Sequence, residues 1–483
     1  MPFDALVLGG GISGLSTAYF LERQLRAGHS GAGPDPRVKI VEATDRAGGS
    51  LGTERVDGFL FERGPNGMLD NAPDTLELIR ALGIDERLLP AASRSADRYL
   101  MRRGRLKAMP RGPGAFLFSR ALSLRGLLGL LREPFRPRAE NVADESIAEF
   151  GRRRLGQEVV DALLDPMVTG IYAGDVEALS MKSCFPRMAR LEREHGSVIR
   201  GMIRGGKKKV SQSAKTSPFS ATLQSFEGGL ETLSGALCEE LGESLEYERR
   251  AESVSPCDGG WRVVFDDGRE EEARALVLAV PACRAAKLFS GPQAGLGREL
   301  EMISYSSVAV VCLGYRAEDV TSDLDGYGFL VPASERLQTL GMIWTSSIFP
   351  GHAPSGHVSI RAMLGGSRSP AVLSKSDEQL VEILQRETGS AIGLQGEPVV
   401  QRIYRYEQAI PQYEIGHQAL LERLEGHLDD FPGLFLTGNS YRGVSVNDCL
   451  AEGKRSAREV SGYLEKAFPT HSSSQSPPPP DEV

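Results

Sequence analysis

None of the six cysteines in this 483-residue chain belongs to a C-x-x-C pair, and Cys184, Cys238, Cys257, Cys283, Cys312 and Cys449 follow no regular spacing. That argues against a disulfide framework or a thiolate metal site, and reduced, buried thiols are expected. The seven histidines form no H-E-x-x-H pattern, so no metal is expected either. Basic residues are outnumbered, 56 against 64, for a formal charge of −8. With no basic excess to release counterions, a nucleic-acid partner is not expected. No apolar run approaches the roughly 18 residues that a spanning helix needs. The opening "MPFDALVLGGG" lacks the basic region that precedes the apolar core of a signal peptide. A cytoplasmic protein is therefore expected, with contact at the inner face of the cell membrane left open. No Ser–His–Asp or Cys–His set is evident.

What is present begins with "ALVLGGGISGLSTAYFLERQL". Ala5 to Leu8 suit a buried parallel strand. Gly9-x-Gly11-x-x-Gly14 follows, and Leu15, Ala18, Tyr19 and Leu21 give a helical apolar face. In such a unit the first glycine permits the turn, the second admits a pyrophosphate, and the third lets helix and strand pack closely. The helix N-terminus adds partial positive charge. A lone G-x-G-x-x-G is a weak signal, but "VKIVEA" supplies a second strand ending in Glu42, a carboxylate for a ribose diol. "AGHSGAGPDPR" reads as an inserted loop that lengthens the usual spacing.

Further glycine turns follow in "TDRAGGSLGT" and "GFLFERGPNGM". A simple dinucleotide site has no need of them, whereas a larger cofactor does. Near the other end, "TGNSYRGVSVNDCL" again reads as strand, turn and helix start. Residues 76–92 are expected to form one helix, 245–255 one strand, and 203–220 a mobile loop. "VSIRAML" alternates like a half-exposed strand. Residues 115–138 are apolar but interrupted by Arg120, Arg125 and Arg132. They suit either an interfacial helix or the cover of an internal pocket.

"GGGISGLSTAYFLE", "VEATDRAGGSLGT" and "FERGPNG" resemble the flavoprotein superfamily of amine oxidases, phytoene desaturases and protoporphyrinogen oxidases. "YRGVSVNDC", "PMVTGIYAGDVEALSM" and "IPQYEIGH" narrow the resemblance to oxygen-dependent protoporphyrinogen oxidases. It spans nearly the whole chain apart from the tail. It implies an α/β (α+β overall) fold: a discontinuous Rossmann-like FAD-binding domain, an interleaved mixed-sheet substrate domain and a mainly helical insertion. The limits expected are 1–92, 221–289 and 406–467 for the FAD-binding parts. The substrate domain takes 93–106 and 290–405, the helical, membrane-facing candidate takes 107–220, and 468–483 form a disordered tail.

The resemblance also implies FAD contacts at Gly9, Gly10, Gly11, Ile12, Ser13, Gly14, Glu42, Ala43, Arg46, Gly49, Ser50, Gly64, Pro65, Asn66, Gly67, Val254, Gly438, Val444, Ser445 and Val446. The last turn would aim its helix at the flavin ring, where positive charge favours the anionic reduced form. Neither cysteine nor histidine stands in "TGNSYRGV", so non-covalent FAD is expected. Arg98 is implied to hold a substrate propionate, although a surface arginine would look the same. Phe349 is implied to stack near a pyrrole ring, with ordinary core as the alternative. Asn66 would orient flavin or substrate. Leu330, Leu340, Gly170, Ala173 and Gly174 are weaker pocket candidates. The implied reaction takes six electrons from protoporphyrinogen IX, with dioxygen as acceptor. A coproporphyrinogen III oxidase, another amine-oxidase or carotenoid-desaturase-like enzyme, and a prenyl-protein escort without flavin chemistry stand as alternatives. A homodimer is left open.

Overall fold

The computed structural model describes residues 2–28, 35–109, 122–138, 144–209 and 221–469. One mixed seven-stranded sheet draws its strands from widely separated parts of the chain. Phe3–Leu8 lies between Val38–Val41 and Glu270–Leu278, parallel to both. Leu245–Glu246 extends the parallel edge beyond Val38–Val41. Leu434–Leu436, from near the other end of the sequence, pairs parallel with the second half of Glu270–Leu278. The antiparallel strands Gly260–Phe265 and Ala251–Cys257 complete the sheet. Helices Ile12–Gly28 and Val446–Ala467 pack together on one face. They pack tightly at Gly453, where any Cβ would run into Ser16 Oγ.

A second seven-stranded sheet runs in the order Val400–Pro411, Tyr305–Arg316, His357–Gly365, Thr339–Ile343, Gly328–Leu330, Arg98–Arg102, Arg105–Ala108. One face is apolar core, with Met101, Val311, Phe329, Met342 and Ala362 side by side. The opposite face looks toward the first sheet's glycine turns. "VSIRAML" is therefore covered on both faces, contrary to the half-exposed strand expected.

Other expectations also change. The 76–92 helix stops at Ala81, because the chain turns left-handed at Gly83 (φ +68°). A short Asp85–Arg87 turn and a Leu88–Pro90 strand follow. The 245–255 strand is two strands, broken at Glu248, which sits at φ +56°. Residues up to Lys209 are helical, from Val198, not loop; 210–220 lie outside the described residues, as do 115–121 of the apolar segment and 470–483 of the tail.

The Val198–Lys209 helix exists because its start is well anchored. Glu133 accepts the Val198 and Ile199 N–H groups at 3.0 and 3.3 Å, and Ser197 accepts that of Arg200 at 3.0 Å. A carboxylate there also meets the positive end of the helix dipole. The same Glu133 pairs with Arg154, both with fully buried side chains. Arg154 donates further to the Arg136, Pro137 and Gly196 carbonyls. One ion pair thus joins the Ile147–Arg154 helix, the Glu133–Phe135 turn and the Val198–Lys209 helix.

Burial alone would raise the Glu133 carboxyl. Bonds from Ser197, Arg154 and Val198, and the Arg154 charge, hold it below its ordinary 4.5. A group lowered on folding stabilises above its unfolded value and loses that contribution as pH falls through the folded one. Glu133→Gln is expected to cost up to about 3–5 kcal/mol, because it removes the closer of the buried Arg154's two carboxylate partners and leaves only Glu192, at 3.5 Å. Urea unfolding at neutral pH checks this, and the gap between variant and wild type should narrow on acidification.

Candidate functional site

At the end of the first strand, three glycines meet three different constraints. Gly9 sits at φ +109°, and a Cβ on it would stand 2.9 Å from Ala279 O. A Cβ on Gly14 would strike Gly9 O, whereas one on Gly11 would meet nothing within 4 Å. The first and last let the turn close; the middle one faces open space. The turn opens the Ile12–Gly28 helix, whose first residues Ile12, Ser13 and Gly14 are buried.

Glu42 braces this turn. Its Oε2 accepts the Gly10 N–H at 2.8 Å, and its Oε1 accepts the Thr44 N–H and hydroxyl at 2.9 and 2.8 Å. A Cβ on Gly10 would come within 3.0 Å of the carboxylate. Ala43, next along, is half-buried. The backbone beside Glu42 is that of Glu246, which accepts the Glu42 N–H at 2.8 Å, and Arg249, which donates to Glu42 O at 3.1 Å. Val254 lies further along its strand, with its side chain in the core at 2% exposure. The backbone bonded to the Glu42 main chain is thus that of Glu246 and Arg249.

The second turn lies against the first. Gly48 N–H donates to Gly10 O at 2.7 Å, and a Cβ on Gly49 would stand 3.1 Å from Gly11. Arg46 donates to Ala47 O and Leu51 O at 2.9 Å and Gly49 O at 2.6 Å. Its guanidinium shapes the loop from within. Ser50 carries the third turn: a Cβ on Gly64 would strike Ser50 O, and one on Gly67 would stand 2.8 Å from Gln224 O. Between them, past Pro65, both amide atoms of the buried Asn66 lack a partner among the described residues. Buried polar atoms are rarely left so, and a ligand is one explanation.

The fourth turn arrives from the far end of the chain. Gly438 sits at φ +118° beside Ser13. Ser445 caps the Val446–Ala467 helix, accepting the Asp448 N–H at 3.1 Å and giving its own N–H and hydroxyl to Asp448 Oδ2. Its N–H is therefore committed internally, while Val444 stands half-buried beside it. Asn447 Nδ2 donates to Leu69 O at 2.9 Å, tying this helix start to the third turn. The four turns and two helix N-termini form one cradle. An open Gly11, unpartnered Asn66 and converging helix dipoles fit an extended dinucleotide with a ring at one end.

The second sheet supplies a facing wall. Cross-strand register sets Arg98, Gly328, Ile343, Arg361 and Cys312 side by side on one face, with Leu100, Leu330, Gly341, Met363 and Val310 in the next row. Arg98 is exposed, and its guanidinium lies 5.4 Å from the Tyr327 ring centroid. Leu330 touches the Gly170 position, where a Cβ would stand 2.8 Å from it. Ala173 is left-handed at φ +47° and its carbonyl accepts the Ser367 N–H at 2.9 Å. Gly174 abuts Gln412, and a strand irregularity between Thr339 and Gly341 turns Leu340 toward the same cluster as Ala173. Ala173 and Leu340 are each 1% exposed and back this wall without surfacing. Phe349 has no exposed surface and packs on His352 at 5.1 Å. A ring so enclosed cannot stack on a substrate unless its surroundings move, so ordinary core describes it better here.

Sequence reasoning passed over Arg361, Met363, Tyr327 and Tyr406. The alternation Ser359, Arg361, Met363 within "VSIRAML" was the available signal for Arg361 and Met363. Titratable groups behind the wall are displaced by burial. Glu62 is pushed up to about 7 by burial, against bonds from Leu230 N–H and Thr53 and the Arg361 charge. His352 is pushed down to about 4 by burial and the Arg55 charge, so its ring is neutral at physiological pH. Burial raises Tyr327, while Arg98 and Arg361 oppose that shift.

Removing the Glu42 carboxylate frees the Gly10 and Thr44 donors and loosens the first turn. Glu42→Ala is expected to weaken dinucleotide binding roughly ten- to a hundredfold, about 1.5–3 kcal/mol for charge-assisted bonds. Titration by flavin fluorescence on the stripped protein measures it; unchanged affinity would mean that the turn holds itself.

Comparison with known proteins agrees with this geometry. Residues 12–461 match the family described as flavin containing amine oxidoreductase. Protoporphyrinogen oxidase of Bos taurus is 35% identical over 491 residues, covering 96% of this chain and 99% of the relative. Coproporphyrinogen III oxidase of Bacillus subtilis (strain 168) is 28% identical over 475 residues, covering 95% and 98%. A crystal structure from Exiguobacterium sp. 255-15 superposes with a TM-score of 0.78 at 27% identity, covering 95% of this chain and 98% of that one. The chain therefore belongs to the flavin containing amine oxidoreductase family and is an FAD-dependent oxidoreductase.

Proposed function

We propose that the protein oxidises a porphyrinogen, and that protoporphyrinogen IX is its substrate. The observation that carries this reading is the sheet face opposite the cradle. It combines apolar side chains, Leu100, Leu330 and Met363, with the guanidinium of Arg98 at its exposed edge. A porphyrinogen is a broad apolar macrocycle with carboxylates at its margin, and such a face complements both parts. The protoporphyrinogen oxidase of Bos taurus, similar along its whole length, supports the same choice. Coproporphyrinogen III is the second reading, favoured by the likeness to the Bacillus subtilis enzyme.

When bound, FAD would supply the two-electron oxidising chemistry, with dioxygen as the final acceptor and hydrogen peroxide as its product, needed three times per porphyrin formed. The chain's share is positioning. Arg98 grips a propionate, and Leu330 and Met363 carry the macrocycle. Gly170 lets the helical segment approach Leu330. Asn66 presents its two amide groups at the ring-side turn. The Val446–Ala467 helix directs its positive end into the cradle. Neutral His352 and enclosed Phe349 keep this side dry.

We further propose that the helical lobe, within 107–220, docks a cytoplasmic protein on a membrane surface. No described helix is long and apolar enough to cross a membrane. Yet Leu124 and Phe135 are each 81% exposed, with Leu128, Leu131 and Ile203 also exposed, and Arg125, Arg132 and Arg200 lie among them in sequence. Apolar side chains with basic neighbours suit the interfacial region of a bilayer.

Anaerobic mixing with each porphyrinogen, followed by aerobic product analysis, tests the substrate: protoporphyrinogen IX should bleach the flavin fastest. Absence of bleaching by either porphyrinogen would remove the reading. Arg98→Ala should raise KM roughly ten- to a hundredfold without loss of FAD. Arg98→Lys should recover only part, lacking the planar fork, and a substrate with esterified propionates should not distinguish the variants. For docking, anionic vesicles should float wild type but not a folded Leu124/Leu128/Leu131→Ser variant; equal flotation would refute it.

A further inference from the structure

Arg361 stands in the middle of the second sheet, between Cys312 and Ile343 in register, at 8% exposure. Its Nε donates to Glu62 O at 3.3 Å, and its Nη2 donates to Gly64 O. These acceptors are the last strand residue before the third glycine turn and the first residue of that turn. One side chain thus pins the turn of the nucleotide cradle to the substrate wall. Asn66, two residues beyond Gly64, is the residue whose buried amide atoms lack partners.

Arg361 also has a charge to account for. Both acceptors are neutral carbonyls, and among the described residues no carboxylate forms an ion pair with it. Glu62, whose carbonyl Arg361 bonds, gives its carboxylate to Leu230 N–H at 2.8 Å and the Thr53 hydroxyl at 2.9 Å. Burial pushes that carboxyl up to about 7, so near neutrality it is only partly ionised. A buried cation without a full counter-charge is costly, and an anion arriving beside it is correspondingly favoured. Arg98, three strand spacings or about 14 Å away across the sheet, is exposed and lies on the last strand but one. The two arginines therefore serve different ends of the cleft.

We propose that Arg361 is the electrostatic positioning residue of the flavin ring: it fixes the Gly64–Gly67 turn against the substrate sheet, and its charge favours the anionic reduced ring over the neutral oxidised one. The helix N-terminus at Val446 contributes a partial charge of about half a unit; Arg361 adds a whole one, held from the other side of the cradle. The inference rests on the flavin site and not on the identity of the porphyrinogen.

Potentiometry with a reference dye on the FAD-loaded protein tests it, alongside flavin release followed by fluorescence and thermal melting. Arg361→Gln, which keeps a donor but loses the charge, should weaken binding of reduced relative to oxidised flavin tenfold or more. For a two-electron couple that lowers the midpoint potential by about 30 mV. Arg361→Lys, which keeps the charge, should restore most of the potential even though it grips the carbonyls less well. A role confined to structure would lower the melting temperature in both variants and leave both potentials alone, and that outcome overturns the proposal. Should Arg361→Gln fail to retain FAD, Arg361→Met, which also lacks the charge but keeps an unbranched stem, takes its place. A potential lowered by about 30 mV or more supports the inference, and a near-wild-type potential overturns it. Porphyrinogen turnover enters none of these measurements, so failure of the substrate reading leaves the test intact.

Discussion

The site depends on how closely two helices from opposite ends of the sequence approach each other. Ile12–Gly28 and Val446–Ala467 cross where Gly453 meets Ser16, and both begin at the cradle. No side chain fits at that contact. The strand ahead of each helix belongs to the same sheet, joined through Glu270–Leu278. Two helix N-termini are thereby held at one edge of the sheet, and their partial charges act on the same volume. Gly14 makes the matching approach on the strand side, against Gly9 O.

From that fixed edge the remaining turns are layered by backbone contact. Gly48 bonds Gly10, Gly49 abuts Gly11, Gly64 abuts Ser50, and Asn447 reaches Leu69. Side chains that sequence logic would aim at a ligand are largely spent on this layering. Glu42 holds Gly10, Arg46 holds the carbonyls of its own loop, and Ser445 holds Asp448. Their contribution to binding is preorganisation: the backbone is set before the cofactor arrives, so less ordering entropy is lost on binding. The groups left unmatched, at Gly11 and Asn66, are those with room or need for a ligand.

The second sheet joins this cradle through an apolar cluster of Phe59 and Phe61 with Val308, Val310 and Cys312, and through polar contacts: Arg361 to the Glu62 and Gly64 carbonyls, Arg402 and Tyr404 to Glu54, and Tyr406 to Arg63 O. Cradle and wall therefore hold their relative geometry through directional bonds, which fix distance and angle more tightly than apolar contact alone. A cleft between two such bodies can stay apolar on its walls while its corners carry charge.

The glycine spacing after Leu8, the acid at Glu42 and the late strand–turn–helix at Gly438 were all legible in the sequence. Each is a local pattern whose geometry follows from a few adjacent residues. The FAD family was legible for the same reason. Two secondary-structure expectations failed at Gly83 and Glu248, where a left-handed residue ends an element that its apolar pattern would have continued. Tertiary structure alone decided that Phe349 is enclosed, that the backbone beside Glu42 is 246–249, and that Arg361 faces the cradle rather than water. Those outcomes depend on which strand lies next to which and in what register. Pairings between residues hundreds of positions apart leave no trace in local composition, because alternation says that a side chain faces one side of a sheet but not what will be packed against that side.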